Sequence, residues 1–299
     1  MTRLRIRDAS LLLPEVARPA AGLVSKIYVA EAGDPASPTV VFVHGGGPNG
    51  RMWRAHMEAL AGSFHSLAPD LPGFGRSNRL ADISLAATAD LVAELIETRV
   101  PTGRAHVVGL SYGGSVILAL LDRHPDRIDR AVVDGSGVLS SWLDPFVVLG
   151  AELVSPIAGT RPMATLLARI GLRGLGIALR GASPAAMRRA FREGYTAPLT
   201  RAQLEADCPT LFVAGEKERT VRASNAAFAA LMPHAVARFV PGLSHAWFAW
   251  RPELHIQMVG AWLSGRELPS GLEPEPPSSA AVDRVLRLLA SAPAEARPR

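Results

Sequence analysis

The amino-acid sequence predicts an α/β protein, a mostly parallel twisted sheet flanked by helices, with an all-helical cap inserted late in the chain. Short apolar, β-branched runs recur at residues 24–30, 39–43, 64–68, 106–108, 130–133, 210–214 and 236–240, each of strand length. Helical patterns separate most of them, and that alternation implies crossover connections and parallel pairing with both faces covered. Between about Ser140 and Ala206 the alternation stops and the pattern is helical only. The expected organisation is therefore a core over 1–139 and 207–265, a cap over 140–206, and a Pro/Ala-rich tail over 266–299.

The composition permits a sizeable core. Of 299 residues, 48% are hydrophobic and 20% charged, which excludes a wholly disordered chain. Cys208 is the single cysteine, so an internal disulfide framework and a thiolate zinc cage are both excluded. Its place before Pro209 and an apolar run suggests a buried structural thiol. The net charge of +5 rests on arginine, with Lys only at Lys26 and Lys217. Acids are interspersed, and no basic patch carries interleaved aromatics, so no nucleic-acid partner is expected. Near the start, Arg3, Arg5 and Arg7 precede an apolar run at 11–13 that Pro14 stops. That run is too short for a signal-peptide core, and no segment approaches a membrane span. The expectation is a soluble, cytoplasmic protein with no stable membrane insertion, its oligomeric state left open.

After the strand at 39–43 comes Gly45-Gly46-Gly47-Pro48-Asn49-Gly50, with Asp70 further on. The spacing matches a dinucleotide-binding fingerprint. The context does not: a segment with its own strand precedes it, and Asp70 leads into the turn Leu71-Pro72-Gly73. Next, Ser84 opens a helix with Leu85, Thr88, Leu91, Val92, Leu95 and Ile96 on one face.

The strand at 106–108 runs into Gly109-Leu110-Ser111-Tyr112-Gly113, and a helical run follows at 116–121. A nucleophile at a sharp strand-to-helix turn has a strained backbone, and side chains two residues before and after it would clash. The turn lifts the Ser111 hydroxyl to a helix N-terminus, where a developing anion is favoured. A serine needs a base, and His245 in Gly242-Leu243-Ser244-His245 follows the last predicted strand. Three carboxylates could orient it: Glu218 and Glu216 after the strand at 210–214, and Asp134 at the end of the strand at 130–133. Glu218 is the preferred acid and Asp134 the alternative. Gly45, Gly46 and Gly47 then read as a loop whose N–H groups approach a substrate carbonyl. With the Tyr112 N–H, that of Gly46 completes an oxyanion hole.

Five segments resemble the α/β-hydrolase fold superfamily, in its serine-nucleophile branch with a helical lid. They are His44-Gly45-Gly46-Gly47-Pro48, Asp70-Leu71-Pro72-Gly73-Phe74-Gly75-Arg76-Ser77, Gly109-Leu110-Ser111-Tyr112-Gly113-Gly114, Gly215-Glu216-Lys217-Glu218 and Gly242-Leu243-Ser244-His245. The resemblance implies a triad of Ser111, His245 and Glu218, an elbow framed by Gly109 and Gly113, and a structural turn at Asp70. It implies no cofactor and no metal. Relatives mostly carry Asp where this chain has Glu218. Family dehalogenases and epoxide hydrolases use an Asp nucleophile. Carbon–carbon hydrolases usually carry Asn and Trp at the positions of Leu110 and Ala246, and prolyl aminopeptidases an acidic pair in the lid.

The expected function is hydrolysis of a small-molecule carboxylic ester or related acyl compound through an acyl-enzyme. The alternatives are a carbon–carbon bond hydrolase of the meta-cleavage type and a slow-turnover, ligand-sensing receptor. In the cap, Leu166, Leu167, Ile170 and Leu175 supply an apolar stripe. Arg161, Arg169, Arg173, Arg180, Arg188, Arg189 and Arg192 stand against Glu193 alone. They read as a solvated face, or as a field that draws in an anionic substrate or lipid surface. In the tail, Val282, Val285, Leu286 and Leu289 share one face of a turn-and-a-half.

Overall fold

The computed structural model describes residues 24–80, 84–137, 149–150, 153, 157, 160–169, 182–196, 199–245 and 247–291. Arg3, Arg5, Arg7, the run at 11–13, Ser140, Ile170, Leu175, Arg173, Arg180 and Ala246 lie outside them, as do the side chains of Arg161 and Leu167.

Among the described residues the strands are β1 (Val29–Ala32), β2 (Thr39–Val43), β3 (His65–Pro69), β4 (Ala105–Leu110), β5 (Ile128–Asp134), β6 (Thr210–Gly215), β7 (Ala235–Val240) and β8 (Glu273–Pro274). They form one sheet in the order β1-β3-β2-β4-β5-β6-β7-β8. The two edge pairings, β1 with β3 and β7 with β8, are antiparallel and the rest parallel. All five residues of β2 are buried, as a strand covered on both faces requires. Alternate side chains serve opposite layers: Val41, Val43, Val107 and Val133 enter one core, and Val40, Phe42, Val108 and Val132 the other.

The first layer is closed by helices α2 (Leu85–Arg99), α3 (Tyr112–Arg123), α7 (Arg219–Leu231) and α10 (Ser279–Ser291). The second is closed by α1 (Arg54–Leu60), α8 (Trp247–Trp250) and α9 (Pro252–Leu263). Helices α4 (Arg161–Arg169), α5 (Pro184–Thr196) and α6 (Arg201–Glu205) fall between β5 and β6. The Ser84 hydroxyl caps α2 by accepting from the Ala87 N–H at 3.2 Å, and the six residues predicted to share a face are all buried. No helix among the described residues is long and apolar enough to cross a membrane.

Chain direction through the sheet fixes where a ligand can sit. From β2 the chain goes to β3 on one side, then to β4 on the other, and the strand order reverses between β2 and β4. Such a reversal opens a crevice at the C-terminal strand ends. Register places Val43 beside Gly109, so the glycine loop after β2 and Ser111 after β4 emerge together at that crevice.

Three expectations need correction. The strand expected at 24–30 is a 3-10 turn at Val24–Lys26 followed by β1. Tyr28 is held by the segment beyond β3, its N–H donating to Ser77 Oγ and its carbonyl accepting from Asp70 N–H. The tail contributes an eighth strand, with Arg238 opposite Pro274 at an edge where a missing N–H costs nothing. Its helix has 13 residues and packs on α7, with Val285 fully buried but Leu286 exposed. Leu166 of the cap stripe is also exposed, and nothing among the described residues covers it.

Candidate active site

Ser111 sits between β4 and α3 with φ 55° and ψ −119°, and is the one non-glycine residue with positive φ among those described. A conformation this sparsely populated persists only where its surroundings impose it. Here they do. A Cβ on Gly109 would lie 2.3 Å from the Gly113 carbonyl oxygen, and one on Gly113 would lie 2.2 Å from that of Val43. The Ser111 N–H donates to the Asp134 carbonyl at 2.7 Å, tying the turn to the adjacent strand end.

Ser111, Tyr112, Gly46, Glu218 and His245 line one cavity of about 260 Å³. His245 Nδ1 lies 2.7 Å from Glu218 Oε1, and the other Glu218 oxygen accepts from the Gly215 N–H at 2.8 Å. The carboxylate is thus fixed at both ends. Burial opposes charging of His245, but the Glu218 hydrogen bond and charge outweigh it and raise the imidazole pKa.

The two competing acids are engaged elsewhere. Glu216 accepts from the Gly242 N–H and holds the turn after β7. Asp134 is fully buried and bonds Trp247 Nε1 at 2.9 Å and His255 Nε2 at 3.2 Å. Burial pushes its carboxyl up to about 8, against the pull of the Trp247 hydrogen bond.

The glycine loop owes its orientation to His44, whose role the sequence did not disclose. The ring is wholly buried, with Nδ1 2.8 Å from the Gly45 carbonyl and Nε2 accepting from the Leu71 N–H at 3.0 Å. These partners assign the proton to Nδ1, and burial holds the pKa down. In a trans peptide, C=O and N–H point opposite ways. Pinning the Gly45 oxygen therefore turns the Gly46 N–H away from His44. Gly45 also crosses the elbow closely, since a Cβ there would lie 3.5 Å from that of Ser111. Asp70 is structural, accepting from the N–H groups of Gly50 and Arg76. Cys208 is buried with its thiol pKa raised by burial, and it lies outside the cavity lining. A larger hollow of about 450 Å³ beside β1 and α1 is lined by Arg51, Arg54 and Arg76 together with Glu31 and Glu58, but both carboxylates are engaged, Glu31 with His65 and Arg99 and Glu58 with Arg54.

Comparison with known proteins bears on the fold. Residues 38–160 match the family model of the alpha/beta hydrolase fold. An "AB hydrolase superfamily protein" of Gibberella zeae is 28% identical over 253 residues, covering 80% of this chain and 85% of that one. The 2-hydroxymuconate semialdehyde hydrolase of a Pseudomonas species is 36% identical over 134 residues, covering 42% of this chain and 46% of that protein. Among solved structures, one from a study of Nitrososphaera gargenis carboxylesterases superposes with a TM-score of 0.71 at 17% identity, covering 80% of this chain and 94% of that one. With the sheet order and the crevice, these matches show that the chain has the α/β-hydrolase fold.

Proposed function

We propose that the protein is a cofactor-independent serine hydrolase that cleaves a carboxylic ester or related acyl compound through an acyl-enzyme. The observation that carries this reading is the 2.7 Å contact of His245 Nδ1 with Glu218 Oε1, on the wall of the cavity that Ser111 also lines. With its Nδ1–H committed to Glu218, His245 offers Nε2 as the base. It takes the Ser111 proton as Oγ attacks the acyl carbon, and the carbonyl electron pair moves onto oxygen. The N–H groups of Gly46 and Tyr112 stabilise that oxyanion, with Gly45 and Gly47 letting the backbone approach. Collapse expels the alcohol, which takes the proton from His245. A water activated by His245 then repeats the sequence and releases the acid. Ala190 and Phe191 of α5 border the cavity, so the segment 140–206 acts as the cap over the core of 1–139 and 207–265.

A carbon–carbon bond hydrolase is the second reading, favoured by the likeness to the semialdehyde hydrolase. A fluorophosphonate probe should label the wild type and not Ser111→Ala, and turnover of p-nitrophenyl butyrate should vanish with the same change. Labelling that survives the substitution sinks the role of Ser111. Rapid turnover of a meta-cleavage dienoate with none of the ester selects the second reading. Labelling without turnover of either substrate selects a receptor.

A further inference from the structure

The cavity beside Ser111 has a polar side that the bond-breaking scheme leaves unused. Ser115 and Ser136 are 3% and 5% exposed, yet both line the cavity, and their hydroxyls lie 2.9 Å apart. Ser115 stands one turn beyond Ser111 on α3, its N–H donating to the Ser111 carbonyl. Ser136 follows Gly135, where a Cβ would lie 2.8 Å from the His245 ring. The pair is therefore attached to both the elbow and the histidine.

Two hydroxyls together carry two protons and four lone pairs, and their mutual hydrogen bond uses one of each. One O–H proton and three acceptor sites remain, and neither hydroxyl has a second side-chain or backbone partner among the described residues. Both hydroxyls line the cavity, so this remaining capacity can meet an oxygen of a ligand held there. Ala190, Phe191 and Val221 add apolar surface to the same lining, and its one carboxylate, Glu218, is held by His245. Gly194 of α5 lies beside the pair, since a Cβ there would be in van der Waals contact with Ser115 Oγ at 3.7 Å. No Lys or Arg lies among the described lining residues, and Arg189 of α5 is paired with Glu193. A neutral oxygen suits such a wall better than a carboxylate, whose charge would be buried unpaired.

We infer that Ser115 and Ser136 form a subsite for a neutral oxygen on the acyl chain, so the preferred substrates are esters of short hydroxy- or oxo-acids. The inference rests on the serine-hydrolase reading, with Ser111 attacking the acyl carbon. One helical turn is about 5.4 Å, which sets the oxygen two or three carbons beyond that carbon.

The test compares p-nitrophenyl butyrate with p-nitrophenyl 3-hydroxybutyrate, which differ in one oxygen, on the wild type, Ser115→Ala and Ser136→Ala. The wild type should favour the hydroxylated ester about tenfold in kcat/KM, because a site built to bond a hydroxyl discriminates against the analogue that lacks it. In each variant the ratio between the two esters should fall toward one, and that ratio cancels any change in folding or in the chemical step. A ratio near one in the wild type overturns the inference, as does a preference that both variants keep. Neither result touches Ser111, whose removal abolishes turnover of both esters. If neither ester turns over, the serine-hydrolase reading has failed instead. Binding of 3-hydroxybutyramide against butyramide by ligand-observed NMR then decides the subsite: preferential binding lost in Ser115→Ala retains it, and equal binding removes it.

Discussion

Two histidine–carboxylate pairs in this fold share the same chemistry and titrate in opposite directions. His245 and Glu218 meet at 2.7 Å where the imidazole is 52% exposed, and the histidine pKa is raised. His255 and Asp134 meet at 3.2 Å with both side chains wholly buried. There burial lowers His255 to about 3 and raises Asp134 to about 8. His56, whose Nε2 is 2.7 Å from His255 Nδ1, falls to about 2 for the same reason. Opposite charges support one another only where some solvation remains, and in a dry layer neutralisation costs less than a buried ion pair. A protonated Asp134 can donate to His255 Nε2, and His255 Nδ1–H to His56 Nε2, giving a chain of neutral groups that ends at His56 Nδ1, which has no partner among the described residues.

The sharpest way to break this contrast is to remove one member from each pair. His245→Ala should abolish esterase turnover, by about 10⁶ in kcat if the site acts as a unit. Glu218→Gln should cost about 10⁴, since the amide can no longer stabilise the imidazolium. Asp134→Asn should cost less than tenfold, because an amide can still accept from Trp247 and donate to His255. Steady-state kinetics on the three variants checks this, and a larger loss for Asp134→Asn than for Glu218→Gln would move the orienting acid to β5.

The pH dependence separates the pairs a second way. The base must be neutral to accept the Ser111 proton, so the acidic limb of kcat/KM should have its midpoint above the ordinary histidine value of 6.5. In Glu218→Gln the raising influence is gone and burial remains, so the residual activity should show that limb at lower pH. For Asp134 the linkage runs through stability. Its pKa is 3.8 unfolded and about 8 folded, so between those values the folded chain holds a proton that the unfolded chain releases. Wild-type stability should therefore fall relative to Asp134→Asn from about pH 4 to 8 and then level off. Urea unfolding across that range measures it, and a constant difference would mean that Asp134 is charged in the fold.

What was legible in the sequence follows the range of the interactions involved. The elbow was legible because its clashes are local: Gly109 and Gly113 flank Ser111 by two residues, and the close atoms belong to the same turn or to the neighbouring β2. The central strands were legible because burial on both faces writes an unbroken apolar run, as in β2. The sequence favours Glu218 but keeps Asp134 as an alternative, since the partners that engage it, Trp247 and His255, lie 113 and 121 positions away. Position at a strand end was the same signal for both carboxylates. His44 was visible as part of the glycine loop, but its task depends on Leu71 N–H, 27 positions distant. The last strand, β8, was masked by Pro274, which argues against a strand everywhere except at an edge.

The smallest change that tests the contrast acts on the residue joining the two regions. Trp247 is two positions past His245 and wholly buried, and its backbone N–H donates to Ser244 at 2.9 Å while its indole N–H donates to Asp134. It thus braces the histidine loop against the buried chain. Trp247→Phe keeps an aromatic ring beside His255, where the centroids now stand 4.8 Å apart, but removes the donor and part of the volume. Stability should fall by roughly 1–3 kcal/mol from the lost hydrogen bond and the space left behind. The Trp247 hydrogen bond is the main influence holding the Asp134 pKa down, so its loss should carry that pKa above about 8. The pH at which stability levels off should rise with it, while kcat changes less than tenfold because Glu218 still orients His245. Unfolding curves between pH 6 and 10 read both effects from one set of samples. A levelling point that does not move, despite the expected loss of stability, would assign the neutrality of Asp134 to burial alone and reduce Trp247 to packing.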